Sequence, residues 1–205
     1  MLSIQLCMVY PLMLALVNTV MYGRVIMSDQ LSAQDWLDQG LKTLAASGFT
    51  ALKAEPLAKA LGVSRGSFYW HFADVGAFHA AILRYWRQVA AEEIIAGVEA
   101  AAGDESPLPL LLRQAFSGKL ALERAVRSWA TADSAARNAV QAIDRRRLDY
   151  LMTLLRDAGF SAETAQARAQ ILYWTFLGFA LSDKTLPKPQ QKALLDALIR
   201  IASPS

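Results

Sequence analysis

The sequence predicts an all-α fold: an N-terminal three-helix domain containing a helix-turn-helix, followed by a larger helical domain. Three observations predict it. Apolar residues recur at helical spacing along most of the chain, in a composition that is 54% hydrophobic with only 11 Gly and 7 Pro among 205 residues. Residues 61–72 join a tight interhelical turn to a short helix rich in polar and aromatic side chains. Residues 171–181 are apolar on every side, as only a helix covered all round can be.

Ser32 and Asp35 have capping-box spacing, and Trp36, Leu37, Leu41, Leu44 and Ala45 make the apolar stripe of a first helix that ends at Gly48. A second helix begins near Ala54 and tolerates Pro56 in its first turn, where no intrahelical N–H is lost. Ala58 is small enough to let another helix approach, and Gly62, four residues on, is free to take the positive φ that leads out of a helix. Leu57, Leu61, Val63 and Phe68 are spaced to point inward from the two helices around this turn. Ser64 is placed to cap the third helix. Asp74 opens a long fourth helix carrying Phe78, Ile82, Leu83, Trp86, Val89 and Ile94, and residues 101–109, with Gly103, Pro107 and Pro109, read as a loop. Further helices are predicted over 110–116, 119–132 and 134–158, the last closed by Gly159. Ser161 caps the next helix, and Pro187 and Pro189 open the final one.

The third helix carries the chemistry. Phe68 and Phe72 are spaced to face the core, which leaves Arg65, Gly66, Ser67, Tyr69, Trp70 and His71 outward. Arg65 is suited to bidentate hydrogen bonding with guanine or to pairing with phosphate, and the hydroxyls of Ser64, Ser67 and Tyr69 to donating to phosphate oxygens. Gly66 permits close backbone approach, and Tyr69 and Trp70 are large aromatics that would be costly to leave exposed without a partner. Two or three of these residues should read bases while the rest hold phosphate. Bulk charge adds little. The chain carries a net +3, and residues 28–90 hold Lys42, Lys53, Lys59, Arg65, Arg84 and Arg87 against Asp29, Asp35, Asp38, Glu55 and Asp74, an excess of one.

These residues resemble the TetR family of bacterial regulators. The resemblance lies in Gly48-Phe49, Leu57-Ala58, Gly62-Val63-Ser64-Arg65-Gly66-Ser67 and Phe68-Tyr69-Trp70-His71-Phe72. It implies that Tyr69 contacts phosphate and that Arg65, Gly66, Ser67, Trp70 and His71 lie at or near the groove. It further implies an all-helical homodimer whose C-terminal domain binds a small-molecule inducer. One departure stands out: Val75 occupies a position where many members carry a lysine that anchors phosphate.

In the C-terminal part, the all-apolar stretch should face its own domain on one side and a second subunit on the other, so that the last two helices form the dimer. Trp86, Phe116, Trp129, Tyr150, Tyr173 and Trp174 are the aromatic candidates for the ligand pocket. The lack of conspicuous charge among them suggests an apolar or aromatic inducer. The run Arg145-Arg146-Arg147 reads as a solvated helix face.

One cysteine, Cys7, and two histidines, His71 and His79, rule out a disulfide framework and leave too few ligands for a zinc site. No catalytic residue, metal or cofactor is expected, and a reducing cytoplasm fits this composition. Residues 1–27 stand apart, apolar and uncharged before Arg24. A wrongly assigned start, with translation beginning at Met27, is the preferred reading. A membrane-associated segment and an ordered extra helix are the alternatives. The expected division is therefore 1–27 as an apolar extension, 28–75 as the DNA-binding domain and 76–205 as the ligand-binding and dimerisation domain. The expected function is a repressor released from a palindromic operator by an inducer. The alternative is a membrane-tethered or inducer-independent DNA-binding regulator.

Overall fold

The computed structural model describes residues 31–103, 106–117, 120–183 and 186–203. The apolar run 1–27 and its three readings lie outside the described residues. Helix α1 spans Ala33–Ser47, followed by a 3-10 turn at Phe49–Ala51, α2 at Ala54–Leu61, α3 at Arg65–His71 and α4 at Val75–Arg87. A π-turn at Gln88–Glu92 joins α4 to α5 at Glu93–Ala102. Then come α6 at Pro107–Ser117, α7 at Ala121–Ala130, α8 at Ser134–Asp157, α9 at Ala162–Leu181 and α10 at Lys188–Ala202. Among the described residues no helix is long and apolar enough to cross a membrane.

The caps follow local chemistry. Ser32 and Asp35 form the reciprocal box, with the Ser32 N–H donating to Asp35 Oδ2 at 2.7 Å and the Asp35 N–H to Ser32 Oγ at 3.3 Å. Asp74 accepts from the Ala77 N–H at 2.7 Å and Ser161 from the Thr164 N–H at 3.2 Å. Asp133 caps α8, accepting from the Ala136 N–H, and the helix begins at Ser134 as expected. Two boundaries differ from expectation. Helix α6 starts at Pro107, not after Pro109, because proline in a first turn forfeits no helical bond. The long fourth helix is broken at residues 88–92 by the π-turn, where the Glu93 N–H reaches back five residues to the Gln88 carbonyl.

Residues Trp36–Ser205 form one compact unit with two regions of core. The first gathers Trp36, Leu44, Leu57, Phe68, Phe78 and Ile82, all fully buried, under α3. At Gly40 a Cβ would collide with the Ile82 side chain and lie 2.8 Å from Phe78, so only glycine lets α1 and α4 approach this closely. The second lies around α8, which packs along α7 and α9, with α6 held between α5 and α10. Its centre includes Leu108, Leu112, Leu151, Leu155, Leu172 and Leu198.

Candidate nucleic-acid interface and ligand cavity

Helix α3 is aimed by the turn before it and the aromatic layer beneath it. Gly62 adopts φ 71° and ψ 25°, in the left-handed region. The Val63 N–H donates to the Ala58 carbonyl at 3.0 Å and the Gly62 N–H to the Lys59 carbonyl at 3.2 Å, closing a Schellman motif. Below, the Phe68 ring meets Trp36 at 5.3 Å and Phe78 at 5.2 Å, both edge-on, and Phe72 meets Phe78 at 4.9 Å. With those rings turned inward, Ser64, Arg65, Gly66, Tyr69, Trp70 and His71 are exposed and Ser67 is half-buried. Trp70 is 81% exposed.

Two details go beyond the sequence reading. Ser64 occupies the N-cap position, but its side chain makes no capping bond; the turn is closed instead by the Ser67 N–H on the Ser64 carbonyl. Arg65 Nη2 donates to the Tyr69 hydroxyl at 3.2 Å, and its guanidinium stands 5.5 Å from the centre of the Tyr69 ring. These two side chains, one turn apart, therefore stand as a pair on the exposed side of α3.

A cavity of about 380 Å³ is bounded by α4, the π-turn and α5–α9. Trp86, Phe116, Tyr150 and Tyr173 of the predicted aromatics line it, together with Ile95, Leu112, Leu172 and Phe176. Trp129 and Trp174 do not. Trp129 stacks on Phe49 at 4.4 Å and meets His79 edge-on at 5.5 Å, joining α7 to the 3-10 turn and α4. Trp174 is 65% exposed on the outer side of α9, beside Ile171 and Gly178.

Charged residues do stand in the wall, contrary to the uncharged pocket that the aromatic set suggested. Glu123, only 6% exposed, accepts from Arg127 Nε at 2.7 Å and, through both oxygens, from Arg147 at 3.1 Å. Arg127 in turn binds Asp144 through Nη2 at 2.5 Å and Nη1 at 3.3 Å, and the Tyr173 hydroxyl donates to the same carboxylate at 2.5 Å. Arg147 Nη2 also donates to the Ala90 carbonyl of the π-turn at 3.0 Å. Burial opposes the charge on both arginines. The Asp144 hydrogen bond to Arg127 and the Glu123 charge beside Arg147 outweigh it, so both pKa values lie above the usual arginine value. Burial, followed by the charge and hydrogen-bonding influence of Glu99, pushes the Tyr150 phenol up to about 12. Its hydroxyl is buried, and Glu99 is the carboxylate that bears on it.

The arginine run is thus split rather than solvated as a block. Arg145 is exposed, Arg146 pairs with Glu92 at the surface and Arg147 turns inward. The signal lay in the spacing: Arg147 stands four residues after buried Ile143 and three before buried Tyr150, and Glu123 three before buried Val126. Both charges occupy apolar stripes, where only a partner makes them tolerable.

Residues 37–74 match the family model described as bacterial regulatory proteins, tetR family. No curated protein matches the chain. A crystal structure assigned to a TetR-family transcriptional regulator from Rhodococcus sp. is similar with a TM-score of 0.62 at 18% identity, over 86% of this chain and 100% of the other. The multidrug binding protein EbrR, crystallised with imidazole, is similar with a TM-score of 0.55 at 23% identity, over 84% of this chain and 95% of that one. At such identities the likeness of these structures extends to the fold and not to what is bound.

Proposed function

We propose that this chain, a DNA-binding transcriptional regulator of the tetR family by its residues 37–74, is a repressor released from a palindromic operator by a small molecule held in the cavity. Proteins of this family regulate transcription and are not enzymes, so the cavity is read as a sensor. The observation that carries the proposal is that one helix serves both sites. Helix α4 begins at Val75, just beyond the recognition helix, packs Phe78 against Phe68 and Phe72 and places Trp86 in the cavity wall. From Val75 to Trp86 the helix rises by about 16 Å. A tilt set at the cavity end therefore moves the start of α4 and the helix docked on it.

The exposed apolar residues Ile171, Trp174 and Leu181 on α9 and Ile201 on α10 support a homodimer through the last two helices. Such a dimer would present its recognition helices to half-sites one helical turn apart, roughly 34 Å. In this reading Arg65, Trp70 and His71 approach the groove while Ser64, Ser67 and Tyr69 hold phosphate at its edge, with Gly66 close to the backbone. The ligand favours the released state only if it binds the two states unequally.

A footprint on the DNA flanking the protein's own gene tests this, repeated with Arg65→Ala and Tyr69→Ala. Both should weaken protection, and loss of a base contact by Arg65 should cost about 1–3 kcal/mol with relaxed sequence preference. Unchanged protection in both variants would remove α3 as the DNA-reading helix.

A further inference from the structure

We propose that a groove between α4 and α8, beside the π-turn, binds a small oxygen-bearing dianion, a phosphate-type or dicarboxylate group, on Arg84 and Arg87. The groove shares only Ala91 of its lining with the ligand cavity, so the proposal does not depend on what that cavity holds.

Residues 84, 87 and 91 recur at helical spacing and share the face of the α4 rod that meets Ala142, Ile143 and Arg146 of α8. Buried Ala91 and Ile143 form the floor. Arg84 lies about 14 Å along the helix from Val75, away from the end on which α3 docks.

Charge in this groove is not balanced. Arg84, Arg87 and Arg146 line it against Glu92, an excess of two positive charges. The carboxylate is already taken, because both Glu92 oxygens accept from Arg146 at 3.1 Å. Arg84 and Arg87, both exposed, have neither a hydrogen bond nor an ion pair from their side chains among the described residues. Helical spacing supplies none: no Asp or Glu stands three or four residues from either arginine. The two are instead each other's i,i+3 neighbours, a like-charge pair that is itself unfavourable. An oxyanion between them relieves that repulsion and accepts from planar guanidiniums, whose fork matches phosphate and carboxylate. Two negative charges on the ligand cancel the excess of two. A groove of about 200 Å³ has the room of roughly seven waters at about 30 Å³ each, which admits one phosphate group or a short dicarboxylate.

The test titrates two probes into the full chain by calorimetry: sulfate, a tetrahedral dianion standing in for phosphate, and succinate. Ionic strength is kept low and held constant with sodium chloride, since salt screens exposed arginines. At least one probe should bind, and the tighter of the two identifies the group as phosphate-type or carboxylate. Arg84→Gln and Arg87→Gln should each weaken it about three- to tenfold, and the double variant by more than about tenfold. Glu92→Gln should act in the opposite sense, tightening binding at least about threefold, because it removes the competing carboxylate and frees Arg146. Arg145→Gln deletes an exposed charge outside the groove lining and should change binding less than about twofold. Heat no greater than that from sodium chloride alone overturns the site, as does binding that survives in the double variant. Binding that Glu92→Gln fails to tighten overturns it too, and so does a loss in Arg145→Gln matching that in Arg84→Gln, which would reflect overall charge alone.

Discussion

Replacing Glu123 by Gln keeps the shape of the side chain and one acceptor oxygen but removes one of two negative charges that balance Arg127 and Arg147. Arg127 retains Asp144, whereas Arg147 loses the carboxylate charge it is paired with and keeps neutral acceptors such as the Ala90 carbonyl, so the uncompensated charge falls on Arg147, whose side chain is 15% exposed. Removing one partner of a buried pair costs about 3–5 kcal/mol, and the bonds that survive here put the expected loss near the lower end, about 3 kcal/mol. For a chain of this length about 2–4 °C is lost per kcal/mol, so the Tm should fall by about 6–12 °C. Glu92→Gln provides the comparison, because it breaks the surface pair with Arg146, whose side chains are 42% and 55% exposed. Such pairs contribute about 0–1 kcal/mol, so that variant should lose less than about 4 °C. Thermal unfolding followed by circular dichroism at neutral pH, at one fixed protein concentration because any self-association would shift Tm, separates the two. Adding Arg147→Met to Glu123→Gln removes the stranded cation and should restore part of the loss. If the two single variants melt alike, or the double variant melts below Glu123→Gln, the cluster is not the closed, buried unit argued above.

Trp174→Asp puts a charge on the exposed face of α9. It should weaken a dimer by at least about 2 kcal/mol, roughly thirtyfold in Kd, seen as monomer by light scattering with unchanged helix content; an undiminished dimer would move the interface elsewhere. The Tyr150 phenol has its pKa raised from 10.0 to about 12 in the folded chain, so the unfolded chain releases this proton first and stability falls as the pH rises between those values. Tyr150→Phe should make that fall shallower in urea midpoints taken across the interval, and an identical slope would show that Tyr150 does not contribute. Gly40→Val forces a side chain against Ile82 and Phe78 and should destabilise by about 1–3 kcal/mol in urea unfolding. Ala46→Val on the exposed side of the same helix supplies the control, and equal losses in the two would mean that α1 and α4 have slack at Gly40.

What the sequence makes legible is what acts over a few residues. Asp74 and Ser161 bind N–H groups three positions on, and Gly62 closes its motif on residues three and four positions back. The exposed side of α3 follows from the same logic, since Phe68 and Phe72 turn inward together. The cavity wall is different in kind. Arg147 meets Glu123 at a separation of 24 residues and Ala90 at 57, so neither partner is visible from the arginine run itself. Aromatic identity was equally local in what it told: Trp86, Phe116, Tyr150 and Tyr173 reach the cavity, while Trp129 is used against Phe49 and Trp174 stays outside. A tryptophan reports that a large apolar surface must be covered, but not by which neighbour.

Two physical connections link the cavity to the N-terminal helices, and both meet at Arg147. Through Ala90 it holds the π-turn that continues α4. Through Glu123 it holds α7, which six residues on, about 9 Å along the axis, stacks Trp129 against Phe49. A ligand that merely filled the apolar wall would bind both states alike and shift nothing, whereas moving an equilibrium from 1:99 to 99:1 takes about 5.5 kcal/mol of differential affinity. Under the proposed release by a cavity ligand, that difference has to arise where the ligand meets the wall. The parts of the wall that lie on the α4–α5 rod are Trp86, Val89, Ala90, Ala91, Ile94 and Ile95. They flank a π-turn, a local widening where the helical bonds are less regular than in the α-helices on either side. A ligand that presses there acts where the rod is least stiff and at the root of the helix that carries α3.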